Sequence, residues 1–334
     1  MPWDVIGHTW AVELLQRDLA HDRPRHAYLI TGPDGIGKRT LAAEFARALV
    51  CTAGGAAAPC GQCRPCQLAA RGGHPDLLLV TPEVSGKKVR SEKIKIDPVR
   101  QLIYDLTLKP VEARRRVARL LRFDAANVEA MNAFLKTLEE PPANVVIVLT
   151  AESADALLPT IVSRCEVLAL RPLALAEVRE ALITRWLVSA EQADHLAHLS
   201  GGRLGWAVRA HANPDLLEAR RQRLDDLRRL LTATRVERFA YADRLVRDSS
   251  SDRLQEILEL WMSFWRDVLL STAQAAAPLT NPDCADDVQR LARALTPASA
   301  HSVLTGLRRA HELLGRNINA RLTLEVLLLD WPRL

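Results

Sequence analysis

Two groups of residues near the start of the chain have types and spacing suited to chemistry. The first is Gly32-Pro33-Asp34-Gly35-Ile36-Gly37-Lys38, which fits G-x-x-x-x-G-K. Glycines at those places let backbone N–H groups wrap a phosphate, a following helix N-terminus adds partial positive charge, and the lysine reaches the outer phosphates. Gly32, Gly35, Gly37 and Lys38 are therefore candidate phosphate-binding residues. The next position should carry a Ser or Thr hydroxyl for Mg²⁺, but Arg39 stands there. Thr40 does not substitute, because one helical step turns it about 100° away. The alternative is a structural loop that kept its shape and lost its chemistry.

The second group is Cys51-x8-Cys60-x2-Cys63-x2-Cys66, four of the chain's six cysteines within sixteen residues. Four thiolates can close a tetrahedral Zn²⁺ site, and a site with no open position is structural. The flanking segment, Thr52 to Pro59, offers little apolar material to fold around. Free thiols and an iron–sulfur cluster are the competing readings. Cys165 and Cys284 stand alone and read as ordinary core or surface residues.

A working ATPase would also need an acidic pair at the end of its third strand. Phe123-Asp124-Ala125-Ala126 supplies Asp124 but no following Glu, so the general base is missing. Losing a positioned base typically costs about 10²–10⁴ in rate. Arg39 and Ala125 thus point the same way. His74 reads as a loop residue rather than a fifth metal ligand. Arg114-Arg115-Arg116 reads as a solvated charge run. Trp261 and Trp265, four residues apart, read as helix-packing residues.

The elements that position these groups follow from periodicity. Residues 7–20 read as an amphipathic helix, Ala27-Tyr28-Leu29-Ile30 as a buried strand before the glycine loop, and Lys38 to Val50 as a helix. Leu77-Leu78-Leu79-Val80 reads as a second strand and 83–97 as an exposed basic loop. Val99 to Leu108 is helical in period, and Val117 to Leu121 lies in a third strand. Residues 127–140 form a helix stopped by Pro141-Pro142, and Val145 to Leu149 a fourth strand. A helix over 153–162 precedes Ser163-Arg164-Cys165. Beyond residue 170 the pattern is helical, broken at Gly201-Gly202 and in the 273–285 loop. Strands alternating with helices give an α/β domain with a mainly parallel sheet.

Composition excludes several classes. With 48% hydrophobic and 25% charged residues, the 334-residue chain is neither disordered nor fibrous. No run of about 18 apolar residues occurs, so a membrane span is not expected. Met-Pro-Trp-Asp does not open a secretory signal. A net charge of +5 permits a nucleic-acid partner without demanding one.

Several strings belong together. They are the loop ending Gly37-Lys38-Arg39, the four-cysteine insert, His74-Pro75-Asp76, and Ile96-Asp97-x2-Arg100-x2-Ile103. Leu135-Lys136-Thr137-Leu138-Glu139-Glu140-Pro141-Pro142 and Ser163-Arg164-Cys165 follow. In this order and spacing they resemble the delta-prime subunits of bacterial DNA polymerase III clamp loaders, strongly over the first 170 residues. The match is weaker beyond, where Gly315-x-Asn317-x-Asn319 and Leu322-x-Leu324-Glu325-x-Leu327-Leu328 carry it.

The resemblance implies an AAA+ P-loop domain at 1–170 with a zinc insert at 51–66, a helical lid at 171–212, and an all-helical collar at 213–334. It implies a member that does not hydrolyse ATP itself and offers Arg164, within Ser163-Arg164-Cys165, to ATP on a neighbouring tau/gamma subunit. The implied partners are tau/gamma and delta subunits in a hetero-pentamer, with the sliding clamp and primed DNA reached through the complex. It further implies a place in the DNA polymerase III holoenzyme, a DNA-directed DNA polymerase, and in the cytoplasm at the nucleoid, with no membrane. Structural Zn²⁺ is the implied cofactor; ATP or ADP binding stays open. Leu204 stands where the family's lid carries a nucleotide-sensing arginine, and the Asp124 to Lys136 segment is shorter than the family usually has. The competing readings are an active tau/gamma-like AAA+ ATPase and a stand-alone zinc-containing nucleic-acid-binding protein.

Overall fold

A computed structural model describes residues 3–82, 93–315 and 318–333. Among them, one compact unit comprises 3–82, 93–181 and 202–206, and a second comprises 182–201 and 207–333.

The first unit is built on five parallel strands. In chain order its elements are α1 (Thr9–Ala20), β1 (Ala27–Thr31), α2 (Lys38–Leu49), α3 (Arg64–Ala70), β2 (Leu77–Val80), α4 (Ile96–Thr107), β3 (Arg116–Leu120), α5 (Val128–Glu139), β4 (Val145–Ala151), α6 (Pro159–Val162) and β5 (Glu166–Ala169). The sheet order is β2-β3-β4-β1-β5. Central β1 and β4 are buried along their whole length, as strands covered on both faces should be. Their side chains alternate between two cores. Tyr28, Ile30, Val146 and Val148 pack with α1 and α2, whereas Ala27, Leu29, Ile147 and Leu149 pack with α4, α5 and α6.

Three expectations need correction. A fifth strand exists that composition did not announce, because β5 is an edge strand and buries only Leu168. The helix expected over 153–162 is instead a 3-10 turn at Ala154–Ala156 and a four-residue helix from Pro159. Proline lacks the N–H a continuing helix would need and fits only its first turn. Nor is the arginine run merely solvated. Arg116 is buried, with its guanidinium 3.6 Å from the Asp76 carboxylate, and Arg115 pairs with Asp22 at 2.8 Å. The expected 83–97 loop lies outside the described residues over 83–92. At its end, Ile94 bridges Ala126 and helix α4 begins by Ile96, with Pro98 in its first turn.

Helices α7 (Leu175–Trp186), α8 (Ala190–Ser200) and α9 (Leu204–Ala212) come next. The rest of the second unit is α10 (Pro214–Thr232), α11 (Arg235–Asp248), α12 (Ser251–Thr272), α13 (Ala285–Ala294), α14 (Pro297–Gly315) and α15 (Ala320–Leu329). Trp261 and Trp265 are fully buried in its core beside Trp331. The loop between α12 and α13 is tied down by the buried Asp267 carboxylate. It accepts from the Asn281 N–H at 2.8 Å and the Thr280 N–H at 3.1 Å. No helix among the described residues is long and apolar enough to cross a membrane.

Candidate functional site

The glycine loop sits between β1 and α2. Gly35 (φ +78°) and Gly37 (φ +112°) occupy left-handed backbone that side chains disfavour. The Lys38 ammonium donates to two carbonyls of its own loop, Gly32 O and, at 3.0 Å, Pro33 O. Burial lowers its pKa, against the pull of Glu152, Asp34 and Asp124. His8 Nε2 lies 2.9 Å from Ile36 O, and Gly205 N–H donates to Gly35 O at 2.7 Å. The loop is thus held by the chain's own groups along its length. Arg39 and Thr40 are exposed, so no hydroxyl stands in the magnesium position. Leu204, at the position of the family's nucleotide-sensing arginine by resemblance, is buried.

Asp124 follows β3 in a short 3-10 turn and accepts from the Glu152 N–H at 3.3 Å. Its Oδ1 is buried with no hydrogen-bond partner among the described residues, and burial raises its pKa. The neighbouring Ala125 gives its carbonyl to the Ile94 N–H. Asp124 thus supplies an acid after β3, and Ala125 stands next to it.

The four cysteines converge. Cys51 ends the turn after α2, Cys60 and Cys63 lie in the following loop, and Cys66 is in α3; their sulfurs all lie within 4.8 Å of one another. Cys51 and Cys63 Sγ are 3.9 Å apart, near the spacing that four sulfurs about 2.3 Å from a central zinc would take. The Cys60 and Cys63 N–H groups point at Cys51 and Cys60 Sγ, each at 3.4 Å. Burial pushes Cys66 up to about 12. Burial also opposes ionisation of Cys63, but hydrogen bonds from Thr52 and Cys66 outweigh it and bring that thiol to about 6. Four sulfurs this close cannot all be thiolates without a cation among them. The donor set fits a closed metal site, and His74 is not part of it. The Trp3 indole donates to Ala58 O at 3.1 Å, closing the cysteine loop against the core.

The sequence did not announce the role of Asp76. Its fully buried carboxylate accepts from the N–H groups of Val111, Glu112 and Ala113 at 2.7, 2.8 and 2.9 Å. Ala113 packs in the same core as Cys60 and Cys63, and Glu112 pairs with Arg64 of α3 at 3.0 Å. Asp76 therefore fixes the segment that backs the cysteine module.

Ser163-Arg164-Cys165 forms the turn between α6 and β5. Arg164 is one-third exposed, with Nη2 2.7 Å from Glu139 Oε1 and Nη1 2.8 Å from Thr160 O. Cys165 packs in the core under α5, and burial pushes its thiol up to about 12, so it anchors rather than reacts.

A glycine loop after the first strand of a parallel sheet in this order, an acid after β3 and an arginine at the turn into the edge strand define an AAA+-type α/β domain followed by helices. The family model described as DNA polymerase III, delta subunit, matches residues 7–174, and the model for that subunit's C terminal matches 214–333. The chain belongs to this family. It is 40% identical over 208 residues to DNA polymerase III subunit delta' of Pseudomonas aeruginosa, covering 62% of this chain and 61% of that protein. It is 29% identical over 320 residues to the Bacillus subtilis delta' subunit, covering 95% and 94%. DNA polymerase III subunit tau/gamma of Haemophilus influenzae is 34% identical over 162 residues, covering 48% of this chain and 22% of that protein.

Proposed function

We infer that the chain is a delta-prime-type subunit of the DNA polymerase III clamp loader, a member that does not turn over ATP itself and completes the site of a neighbour. The observation that carries the non-hydrolysing reading is the joint state of the loop. Arg39 replaces the magnesium hydroxyl, Ala125 replaces the base, and Lys38 is engaged by the loop's own carbonyls. This favours delta-prime over a tau/gamma-like ATPase and favours a structural loop over one committed to ATP or ADP. Residues 1–170 form the AAA+ domain, 171–212 the lid and 213–334 the collar. The collar joins this subunit to tau/gamma and delta in a hetero-pentamer that opens the sliding clamp on primed DNA in the cytoplasm. The α/β framework is more than a stand-alone zinc reader of nucleic acid would require. Cys51, Cys60, Cys63 and Cys66 hold one structural Zn²⁺, which has no open position for catalysis.

Arg164 is the group that acts in trans. Guanidinium stays charged and presents a planar fork of donors to phosphoryl oxygens, and such fingers are worth about 10³–10⁵ in rate at the site they complete. The test is Arg164→Ala in the reconstituted complex. The variant should fold and assemble, and the DNA- and clamp-stimulated ATPase should fall by the share of the one site it serves. Lysine should rescue poorly. If Arg164 served only its pairing with Glu139, ATPase per assembled complex would stay normal, and thermal stability would change little for so exposed a pair. Full ATPase and clamp loading by the variant refutes the trans role.

A further inference from the structure

Two strings in this chain, Leu138-Glu139-Glu140-Pro141-Pro142 and Ser163-Arg164-Cys165, lie more than twenty residues apart and meet in space. Pro141 forces the residue before it out of the helical region, so Glu140 takes φ −123°, ψ 72° and α5 ends at Glu139. The helix is anchored behind that end by buried Phe134 and Leu138. The carboxylate is therefore delivered to one place by a fixed helix terminus. On the other side, fully buried Ile161 anchors α6, which packs against α5, and Cys165 fixes the turn after it.

Three acceptors converge on the guanidinium between these anchors. Nη2 meets Glu139 Oε1 at 2.7 Å, and Nη1 donates to Thr160 O at 2.8 Å and to Ser163 Oγ at 3.3 Å. The negative end of the α5 dipole adds to the same attraction. A guanidinium has five N–H donors, so Nε–H and one Nη2–H are left over for another acceptor.

Glu139 is 48% exposed and Arg164 33% exposed, and pairs so wet add little to stability. What the pair does remove is rotamer freedom from a side chain that has much of it to lose. We propose that Glu139 is a positioning residue, holding the Arg164 guanidinium in the one setting from which its spare donors meet a phosphoryl group on the neighbouring subunit. The inference rests on the trans role of Arg164. It explains why a proline-stopped helix ending in glutamate accompanies the arginine turn.

The experiment measures kcat and KM for ATP in the complex reconstituted with the neighbouring ATPase subunits, clamp and primed DNA. The chains compared are wild type, Glu139→Ala, Glu139→Gln, Arg164→Ala and the Glu139→Ala/Arg164→Ala double variant. Misplacing a catalytic group by about 1 Å can cost ~10²-fold, and here two of three contacts survive, so Glu139→Ala should lower turnover at the served site on the order of three- to tenfold. That removes roughly two-thirds to nine-tenths of the share lost with Arg164→Ala. The fall should appear in kcat, glutamine should restore part of it as a neutral acceptor, and the double variant should equal Arg164→Ala. Full ATPase with Arg164→Ala sinks the trans role and this proposal with it. A loss with Arg164→Ala but none with Glu139→Ala overturns the positioning role alone. So does a rise in kcat, which would make Glu139 a restraint, or a Glu139→Ala loss that persists in the Arg164→Ala background.

Discussion

Replacing Asp76 should loosen the support of the cysteine module before it affects anything else. The carboxylate is fully buried and accepts three backbone N–H groups at 2.7–2.9 Å, with the buried Arg116 guanidinium 3.6 Å away. Hydrogen bonds to a charged group contribute about 1.5–3 kcal/mol each, and they do not add fully. Asp76→Ala, which strands three donors and a buried arginine, should cost about 3–5 kcal/mol. Asp76→Asn keeps one oxygen and should cost ~1–2 kcal/mol. Burial alone would raise this carboxyl's pKa, but the N–H groups of Ala113, Glu112 and Val111 outweigh it and hold the pKa below the ordinary range. A depressed folded pKa gives stability that is present above the unfolded value of about 3.9 and is lost as pH falls through the folded value. The gap between wild type and Asp76→Asn should therefore be full at pH 7 and shrink below about pH 4. Because the chain has two units, the assay is hydrogen exchange at the Val111, Glu112 and Ala113 amides alongside denaturant unfolding. Unchanged exchange at those amides in Asp76→Asn, with stability within about 0.5 kcal/mol of wild type, would refute the reasoning.

Metal analysis should find about one Zn²⁺ per chain, and strong chelation should loosen residues 50–70 while the sheet survives. Since Trp3 closes the cysteine loop onto the core, chelation should shift tryptophan emission to the red and Trp3→Phe should abolish most of that shift; no zinc, or iron with sulfide, defeats this reading. The isolated chain should show no ATP hydrolysis above background, and neither Arg39→Thr nor Ala125→Glu alone should create it, because hydroxyl and base are both needed. Robust turnover by the unmodified chain that disappears in Lys38→Ala is the contrary result.

Much of the α/β unit was legible because buried parallel strands advertise themselves. Val145 to Leu149 and Ala27 to Ile30 are continuous apolar runs, and both lie in the centre of the sheet. Strand β5 escaped notice because an edge strand with one buried residue has no such run. The helix expected before Arg164 is broken because Pro159 fits only a first turn, so a new helix starts there. The cysteine cluster was legible from spacing alone, since four cysteines over sixteen residues leave the chain little choice. The carboxylate beside Arg116 and the three amides on Asp76 were not, because they join positions more than thirty residues apart and have no local period. Arg116 read as a solvated charge for that reason.

In the glycine loop, contacts within the chain account for the form of the motif. A Cβ on Gly32 would lie 2.9 Å from the Leu170 carbonyl, and one on Gly35 would lie 2.7 Å from the Trp206 nitrogen. Ile36, 2% exposed, packs in the core shared by α1 and α2. Gly32 and Gly35 are thus demanded by close backbone approach inside this chain, and Gly37 by its left-handed φ of +112°, with no phosphate needed to explain them. Lys38, bonded to Gly32 O and Pro33 O, ties the ends of the same turn. Positions 39 and 125, where an ATPase of this type needs groups for metal and water, carry Arg and Ala. Packing constrains shape and catalysis constrains the reactive groups, so the two sets can separate. The loop joins β1 to α2, and β1 pairs directly with β5, the edge strand that begins two residues after Arg164. The geometry of the loop and the placement of the Arg164 turn are then two consequences of one fold.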